Sequence, residues 1–325
     1  MTPSTKKRSI PKKRQAQDPL EQAIGAALAP GDFISYKAAW SFVDDVLDVA
    51  ERVSKLIRRE PERAARLYQT FIAACHLKAE EIDDSSGSFG MLVDDLFQGW
   101  IKARQAAGAV REETASMLVA WMENDPYGFC YDLDREASKV LDKKGLVAFA
   151  DQIRSRFEAA PALGDEKERS PGRVRRRWGG ALKTVLAAAR DIEAFVTLCE
   201  QTELGDEDCK TVAEIYKRRK RPADALSWVE RGLKIAQSRG GYSSAEHDLR
   251  DMKRDLLSRL GRAEDALASA WAEFEEHPNI FTYEELVRYI SAKEKKAWHA
   301  KAMRAAENAD LSSQIELWLE HGETD

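Results

Sequence analysis

Cysteine and histidine patterns of the kinds that hold metals are missing from this sequence. Its four cysteines form no C-x-x-C pair, and its five histidines form no H-x-x-H or H-E-x-x-H motif. A zinc site, a redox dithiol and a metalloprotease site are therefore not expected, and a disulfide framework is unusual in a chain of 325 residues. We predict no metal and no cofactor, and four buried free thiols in a reducing cytoplasm. The cysteines are Cys75, Cys130, Cys199 and Cys209.

Long apolar runs and nucleotide-binding motifs are also missing. No segment approaches the roughly 20 apolar residues that a membrane span needs, so we expect no membrane association. The sequence has no G-x-S-x-G, no P-loop and no G-x-G-x-x-G, and an active site would have to assemble from carboxylates or a histidine on distant helices. We therefore predict that the protein is not an enzyme. Its net charge of −5 provides no overall field that favours nucleic acid.

The sequence does contain an almost unbroken series of helix signals. Apolar residues recur at spacings of three and four, as in Trp40, Val43 and Leu47, which places them on one face of an amphipathic helix. Proline and glycine lie between such segments, and no convincing run alternates β-branched with polar residues. The pattern predicts an all-α fold.

Composition divides the chain into four parts. Residues 1–17 contain six basic residues and no apolar core, and we predict a disordered basic arm there. Residues 18–160 are predicted to form an N-terminal helical domain. Residues 161–172 are charged, contain proline and glycine, and have almost no apolar side chains, so we predict a linker. Residues 173–325 are predicted to form a C-terminal helical-repeat domain.

A helix–turn–helix pattern occurs twice in the C-terminal part. Tyr216 and Ala225 are nine residues apart in the first copy, as are Leu257 and Ala266 in the second. Across a tight turn this spacing brings a large apolar side chain against a small one, so a bulkier residue there would hold the helices apart. The pattern is typical of an α-solenoid of TPR-like helical hairpins. The copies lie 41 residues apart, so the repeat is TPR-like and not regular.

Several segments resemble a bacterial TPR-like helical-repeat family of unknown function. They are residues 83–90, 191–195, 213–216 and 223–230, and the resemblance extends over about residues 22–308. Similar helical regions accompany SWIM-type zinc fingers in some bacterial proteins. The resemblance implies an α-solenoid and supplies no established activity. The C-x-C and C-x-H pairs that a SWIM finger needs are absent here, so no zinc or nucleic-acid role is carried over.

An acidic turn separates two predicted helices in the N-terminal part. Asp83, Asp84, Ser85 and Gly87 belong to a DDSSGS segment that lacks the ligand spacing of an EF-hand. We interpret it as a structural turn in which a serine caps the next helix and Gly87 turns the chain. Paired carboxylates leave open the alternative that this turn binds a cation or contacts a peptide.

Two kinds of candidate partner-binding residues remain. Trp228 and Trp271 lie in the second helices of the repeat copies and are candidate anchors in a groove. Basic clusters at 173–177 and 217–221 are candidate phosphate contacts. We predict a non-catalytic scaffold that binds a protein or peptide in a helical-repeat groove, and the alternative is a nucleic-acid-associated protein that uses the basic clusters. The candidate basic residues are Arg175, Arg176, Arg218 and Arg219.

Overall fold

The computed structural model describes residues 18–161, 169–239, 243–307 and 309–321, and the predicted arm at 1–17 lies outside these ranges. Within them the chain is helical, without a β-strand, so the all-α prediction is confirmed. None of the described helices is both long and apolar enough to cross a membrane. The helices are α1 (Pro19–Ala27), α2 (Tyr36–Ser54), α3 (Pro61–Lys78), α4 (Ser88–Ala106), α5 (Arg111–Glu123), α6 (Leu133–Val140), α7 (Lys143–Ala159), α8 (Arg169–Ala189), α9 (Ile192–Thr202), α10 (Asp206–Arg218), α11 (Pro222–Arg239), α12 (Ser244–Arg259), α13 (Ala263–Glu276), α14 (Ile280–Val287), α15 (Lys295–Ala306) and α16 (Leu311–His321).

The chain divides into an N-terminal unit of residues 1–189 and a C-terminal unit of residues 190–325. This division differs from the predicted linker at 161–172, because α8 packs against α6 and α7. One guanidinium nitrogen of Arg175 donates to the carbonyls of Phe157 and Ala160 at 3.0 and 3.1 Å, and Trp178 is buried. Residues 162–168 lie outside the described part of the chain, and Arg169 already begins α8.

The N-terminal unit is organised around α3 and α4, which pack against each other and both contact α2. The helix α1 begins where the Asp18 carboxylate accepts the Leu20 amide at 2.9 Å, a capping bond that satisfies a free helical donor. The side chains of Phe71, Phe97 and Trp100 are fully buried in this core. Burial of such side chains contributes about 2–3 kcal/mol each before the cost of ordering them.

In the C-terminal unit α10 packs on α11, α11 on α12 and α12 on α13. The small residues Ala225 and Ala266 are both fully buried. A β-carbon at Gly232 would lie 2.9 Å from Cys209 Cβ and 2.9 Å from Leu249 Cδ1. Glycine at this position therefore lets the neighbouring side chains approach more closely than a residue with a β-carbon would allow.

The turns of the two repeat copies share one backbone conformation. Lys220 and Gly261, 41 residues apart, both have positive φ, at 58° and 74°. A lysine pays about 1 kcal/mol for this left-handed conformation, whereas glycine adopts it freely. The helix-ending hydrogen bonds also correspond: Arg221 N to Tyr216 O and Lys220 N to Lys217 O in the first copy, and Arg262 N to Leu257 O and Gly261 N to Ser258 O in the second.

Candidate functional site

A groove of about 460 Å³ opens on the C-terminal unit. Residues of α11 and α13 line its sides, and α12, which packs on both of these helices, lies beneath them. Small side chains on α13, Ala268 and Ser269, leave the groove open. We call it the C-terminal groove.

A buried ion cluster fixes the base of the C-terminal groove. Arg254 of α12 is 1% exposed, and its guanidinium pairs with Asp251, with Glu273 of α13 and, at 3.3 Å, with Glu285 of α14. Burial opposes the charge, but Glu273 and the other two carboxylates raise the pKa of Arg254 above its ordinary value. We call these four residues the Arg254 cluster; it joins three helices.

Two charged side chains and one amide of the groove have no hydrogen-bond or ion-pair partner among the described residues. They are Glu230 and Gln237 on α11 and Lys253 on α12. In contrast, Arg250 and Arg262 of the same lining are paired with carboxylates. The unpaired groups offer both signs of charge and an amide to a ligand, a combination suited to a polypeptide.

The sequence analysis did not single out Arg254, Glu273 or Glu285. A signal was present, because Arg254 stands between Leu249 and Leu256, which are both fully buried in α12. A charged residue among buried positions requires a partner. Asp251, three residues earlier on α12, is the one partner that the sequence places nearby, since Glu273 and Glu285 lie on the two following helices.

The predicted tryptophan anchors do not line the C-terminal groove. Trp228 is partly buried against the core of the C-terminal unit, with the Arg231 guanidinium 4.9 Å from its ring centroid. Trp271 packs edge-on against Trp298 at 5.5 Å, and Lys301 Nζ lies 3.7 Å from its ring centroid. Both indoles therefore pack at the edge of the core. They lie on helix faces other than the faces that line the C-terminal groove.

Internal partners engage much of the basic cluster at 217–221. Lys217 pairs with Asp255 at 2.7 Å and Arg221 with Asp224 at 2.7 Å. Arg219 donates to the carbonyl of Arg190. Arg218 has a 64% exposed side chain and a 3.7 Å contact with Glu214.

The cluster at 173–177 is likewise divided between internal and exposed side chains. Arg175 bonds the end of α7, as described above, and its guanidinium lies 4.1 Å from the Phe157 ring centroid. Arg177 donates to the Met122 carbonyl at 2.6 Å. Arg173 and Arg176 are exposed.

The acidic turn is built around Asp84. Its carboxylate accepts the backbone amides of Phe89 and Gly90 at 2.8 and 2.9 Å, at the start of α4. Asp84 therefore caps two amides at once, and a serine of the turn also caps the helix, since Ser86 Oγ accepts the Ser88 amide at 3.3 Å. Asp83 accepts from Ser85, which lowers the Asp83 pKa. Gly87 has φ +74° and turns the chain as predicted.

Metal-binding and thiol chemistry find little support in the described residues. No group of three or more histidine, cysteine or acidic side chains there is arranged to hold a metal ion. The four cysteines are buried free thiols, as predicted. Burial raises the pKa of Cys75 to about 12, and since the thiolate is the nucleophile, this thiol is unreactive at neutral pH.

Comparison with known proteins identifies a family and no activity. The chain belongs to a family of unknown function (DUF6880), whose model matches residues 22–295. The match covers helices of both units, so the expected membership of a family of unknown function over most of the chain is confirmed. No curated protein matches the chain.

Proposed function

We propose that this member of the family is a non-catalytic scaffold that binds a peptide segment in the C-terminal groove. The observation that carries the proposal is the set of unpaired groups, Glu230, Gln237 and Lys253, around an open groove of about 460 Å³. The Arg254 cluster supports it by fixing the base of the groove. A rigid, preformed groove lowers the conformational cost of binding.

The helical-repeat character of the C-terminal unit is part of the same proposal. We take α10–α11 and α12–α13 to be two consecutive TPR-like hairpins of an α-solenoid. Their support is the correspondence of turn conformation and hydrogen bonds at a shift of 41 residues. Stacked hairpins present extended surfaces that bind polypeptides. We also place the protein in the cytoplasm, where its four buried thiols would stay reduced.

Site-specific photo-cross-linking in cell lysate tests the proposal. A photoreactive phenylalanine analogue replaces Ala268, which is exposed and lines the groove, or Ala300, which is exposed on α15 outside it. We expect a discrete protein adduct from position 268 and none from position 300. The adduct at 268 should weaken several-fold when Lys253→Glu reverses an unpaired groove charge. Identical adduct patterns at both positions, or an adduct indifferent to Lys253→Glu, would refute the groove as the binding site.

The nucleic-acid alternative has weaker support. Lys217 and Arg221 are neutralised by carboxylates, and the donors of Arg175, Arg177 and Arg219 are at least partly engaged. Treatment of the cross-linked sample with nuclease distinguishes the two functions. A peptide-binding scaffold keeps its adduct at 268, whereas an adduct formed through nucleic acid is lost with nuclease and with rising salt.

A further inference from the structure

A second groove, of about 400 Å³, lies on the N-terminal unit. Residues of α2 and α4 line its sides, and Tyr68 of α3 lies beneath them. Leu47, Ile57 and Leu96 provide apolar surface in it. We call it the N-terminal groove.

Tyr68 lines this groove, and its hydroxyl makes no hydrogen bond to another described residue. The residue is 3% exposed, and no hydrogen-bond partner of its hydroxyl is found among the described residues. A β-carbon at Gly99 would lie 2.4 Å from Tyr68 Cζ and 2.6 Å from the hydroxyl oxygen. Gly99 therefore makes the space in α4 that the phenol occupies. Burial, together with Asp95, raises the pKa of Tyr68 to about 12, so the hydroxyl stays protonated and can donate.

Acidic side chains surround this donor. Asp48, Glu51 and Asp95 line the groove with a single opposing cation, Lys102. Glu51 has an exposed partner in Lys55 at 3.1 Å, whereas Asp48 and Asp95 have no ion-pair partner among the described residues. Residues 18–100 as a whole carry a net charge of −7. The groove is therefore complementary to a cationic segment that carries an apolar residue.

The chain itself contains such a segment immediately before the first described residue. Residues 1–17 contain six basic residues and no acidic one, with Ile10 between two basic triplets. The described chain starts at Asp18, which is joined to Arg63 at 2.7 Å. Tyr68 follows Arg63 by five residues of α3, about 7.5 Å along the helix axis. Seventeen extended residues span up to about 55 Å, so residues 1–17 are long enough to reach the groove.

We propose that the N-terminal groove is a binding site for the chain's own residues 1–17. The lysines and arginines of the segment face Asp48, Glu51 and Asp95, and Ile10 enters the apolar surface beside Leu47. The Tyr68 hydroxyl donates to a carbonyl of the segment, which supplies that hydroxyl with a protein partner. The N-terminal groove shares no lining residue with the C-terminal groove, so its test does not depend on the proposed function.

Zero-length carbodiimide cross-linking of the full chain, followed by mass spectrometry, tests this proposal. The reagent joins lysine amines to carboxylates in contact. We expect Lys6, Lys7, Lys12 and Lys13 to link to Glu51 and its neighbours within one molecule. The exposed acids Asp48 and Asp95 allow a matched variant, Asp48→Asn with Asp95→Asn, that retains Glu51. Links to Glu51 should then fall about fivefold, the change expected from losing two exposed ion pairs.

Three controls make the result decisive. A mixture of ¹⁴N- and ¹⁵N-labelled chains shows whether links form within one molecule, and links between differently labelled chains would replace the proposal with a contact between two copies. A free peptide of residues 1–17 should compete several-fold better than a scrambled peptide of the same composition. Equal competition, or links spread over acids of both units, would show non-specific attraction of charges and overturn the proposal. Ile10→Ser keeps every charge and should reduce the links to Glu51 several-fold.

Discussion

The two units contain grooves that are built from helices in a similar way but differ in the residue that lies beneath the opening. In each, two helices line an opening and a third helix lies beneath them: α3 under α2 and α4, and α12 under α11 and α13. The residue presented from beneath is Tyr68 in the N-terminal groove and Arg254 in the C-terminal groove. Tyr68 lacks a partner for its hydroxyl among the described residues, whereas Arg254 is paired with three carboxylates.

The difference follows from the cost of burying charge. A neutral hydroxyl at the edge of an open groove can hydrogen-bond to water, so the lack of a protein partner costs it little. A buried guanidinium without a partner would cost far more, so the fold must pair it before any ligand arrives. The Arg254 cluster therefore has a structural role. A ligand of the C-terminal groove would contact the unpaired side chains of Glu230, Gln237 and Lys253. In the N-terminal groove the residue beneath is itself available to a ligand.

The largest expected effect comes from the residue beneath each groove. Arg254→Met leaves Glu273, whose side chain is 13% exposed, without its cation, while Glu285 keeps its ion pair with Arg288 at 2.6 Å. We expect it to lower the free energy of unfolding of the C-terminal unit by about 3–5 kcal/mol. Tyr68→Phe, which removes a hydroxyl without a partner, should change the N-terminal unit by less than about 0.5 kcal/mol.

Hydrogen–deuterium exchange during urea titration separates the two units, since a chain of two units need not unfold in one step. The exposed arginine Arg259, paired with Asp255 at 2.9 Å, supplies the control Arg259→Met, with an expected cost below about 1 kcal/mol. If Arg254→Met and Tyr68→Phe had equal effects, the contrast between the grooves would fail.

The next effect concerns the glycines where helices approach closely. Gly99→Ala places a methyl group 2.4 Å from the Tyr68 ring, whereas Gly232→Ala meets Cys209 and Leu249 at 2.9 Å. We expect Gly99→Ala to destabilise the N-terminal unit by about 1–3 kcal/mol through overpacking. Gly232→Ala should cost less, because its closest contacts are longer, while the gain in helix propensity applies to both substitutions.

A double-mutant cycle identifies the cause of the Gly99→Ala effect. Tyr68→Leu removes the ring atoms that the new methyl group would overlap, so the double variant should be more stable than the two single changes predict by addition. Additive effects would mean that the methyl group acts elsewhere. Both variants are followed by urea denaturation with exchange read out in α3 and α4.

The paired helices on either side of the turns at 219–221 and 260–262 were predictable because their determinants lie close together in sequence. The nine-residue spacing from Tyr216 to Ala225 predicted a tight approach at a small residue, and Ala225 is fully buried. The structure adds that Lys220 adopts the left-handed conformation of Gly261, which no composition argument could establish.

The candidate sites were less predictable because they depend on which helix face meets which neighbour. Helical spacing places Trp228 and Trp271 in second helices, but it does not show that their faces turn to the core. The need for glycine at position 99 comes from its contact with the Tyr68 ring on another helix, which the sequence alone does not show. A charged stretch such as 173–177 looks solvated, although Arg175 and Arg177 bond carbonyls of neighbouring segments.

A smaller effect tests to which unit α8 belongs. Arg175→Ala removes two hydrogen bonds to carbonyls at the end of α7 and a stacking contact on Phe157. We expect a loss of about 1–2 kcal/mol, confined to the N-terminal unit. The exposed neighbour gives the control Arg176→Ala, with a change below about 0.5 kcal/mol. Altered exchange in α10–α13 in place of α6–α8 would favour the boundary predicted at 161–172.

The smallest expected effect concerns carboxyl pKa values, which are shifted in opposite directions at Asp94 and Asp206 in the two units. Burial, followed by Glu136 and Asp132, raises the pKa of Asp94 on α4 from 3.8 to about 6. In the C-terminal unit a hydrogen bond from Ser243 lowers the pKa of Asp206. A raised carboxyl pKa means that the folded state holds the proton more tightly, so ionising Asp94 opposes folding above about pH 6. A lowered pKa means that protonating Asp206 opposes folding in acid.

Asp94→Asn should therefore stabilise the N-terminal unit near neutral pH. The full shift would correspond to about 3 kcal/mol, and partial exposure of Asp94 to solvent reduces the expected gain to about 1 kcal/mol. The gain should fade as the pH falls from about 6 to about 4, because Asp94 then becomes protonated in the folded wild-type chain as well. Urea titrations at several pH values measure it, with the exposed Asp45→Asn on α2 as control. A gain that does not depend on pH would assign the effect to packing, since only a proton-linked cost disappears in acid.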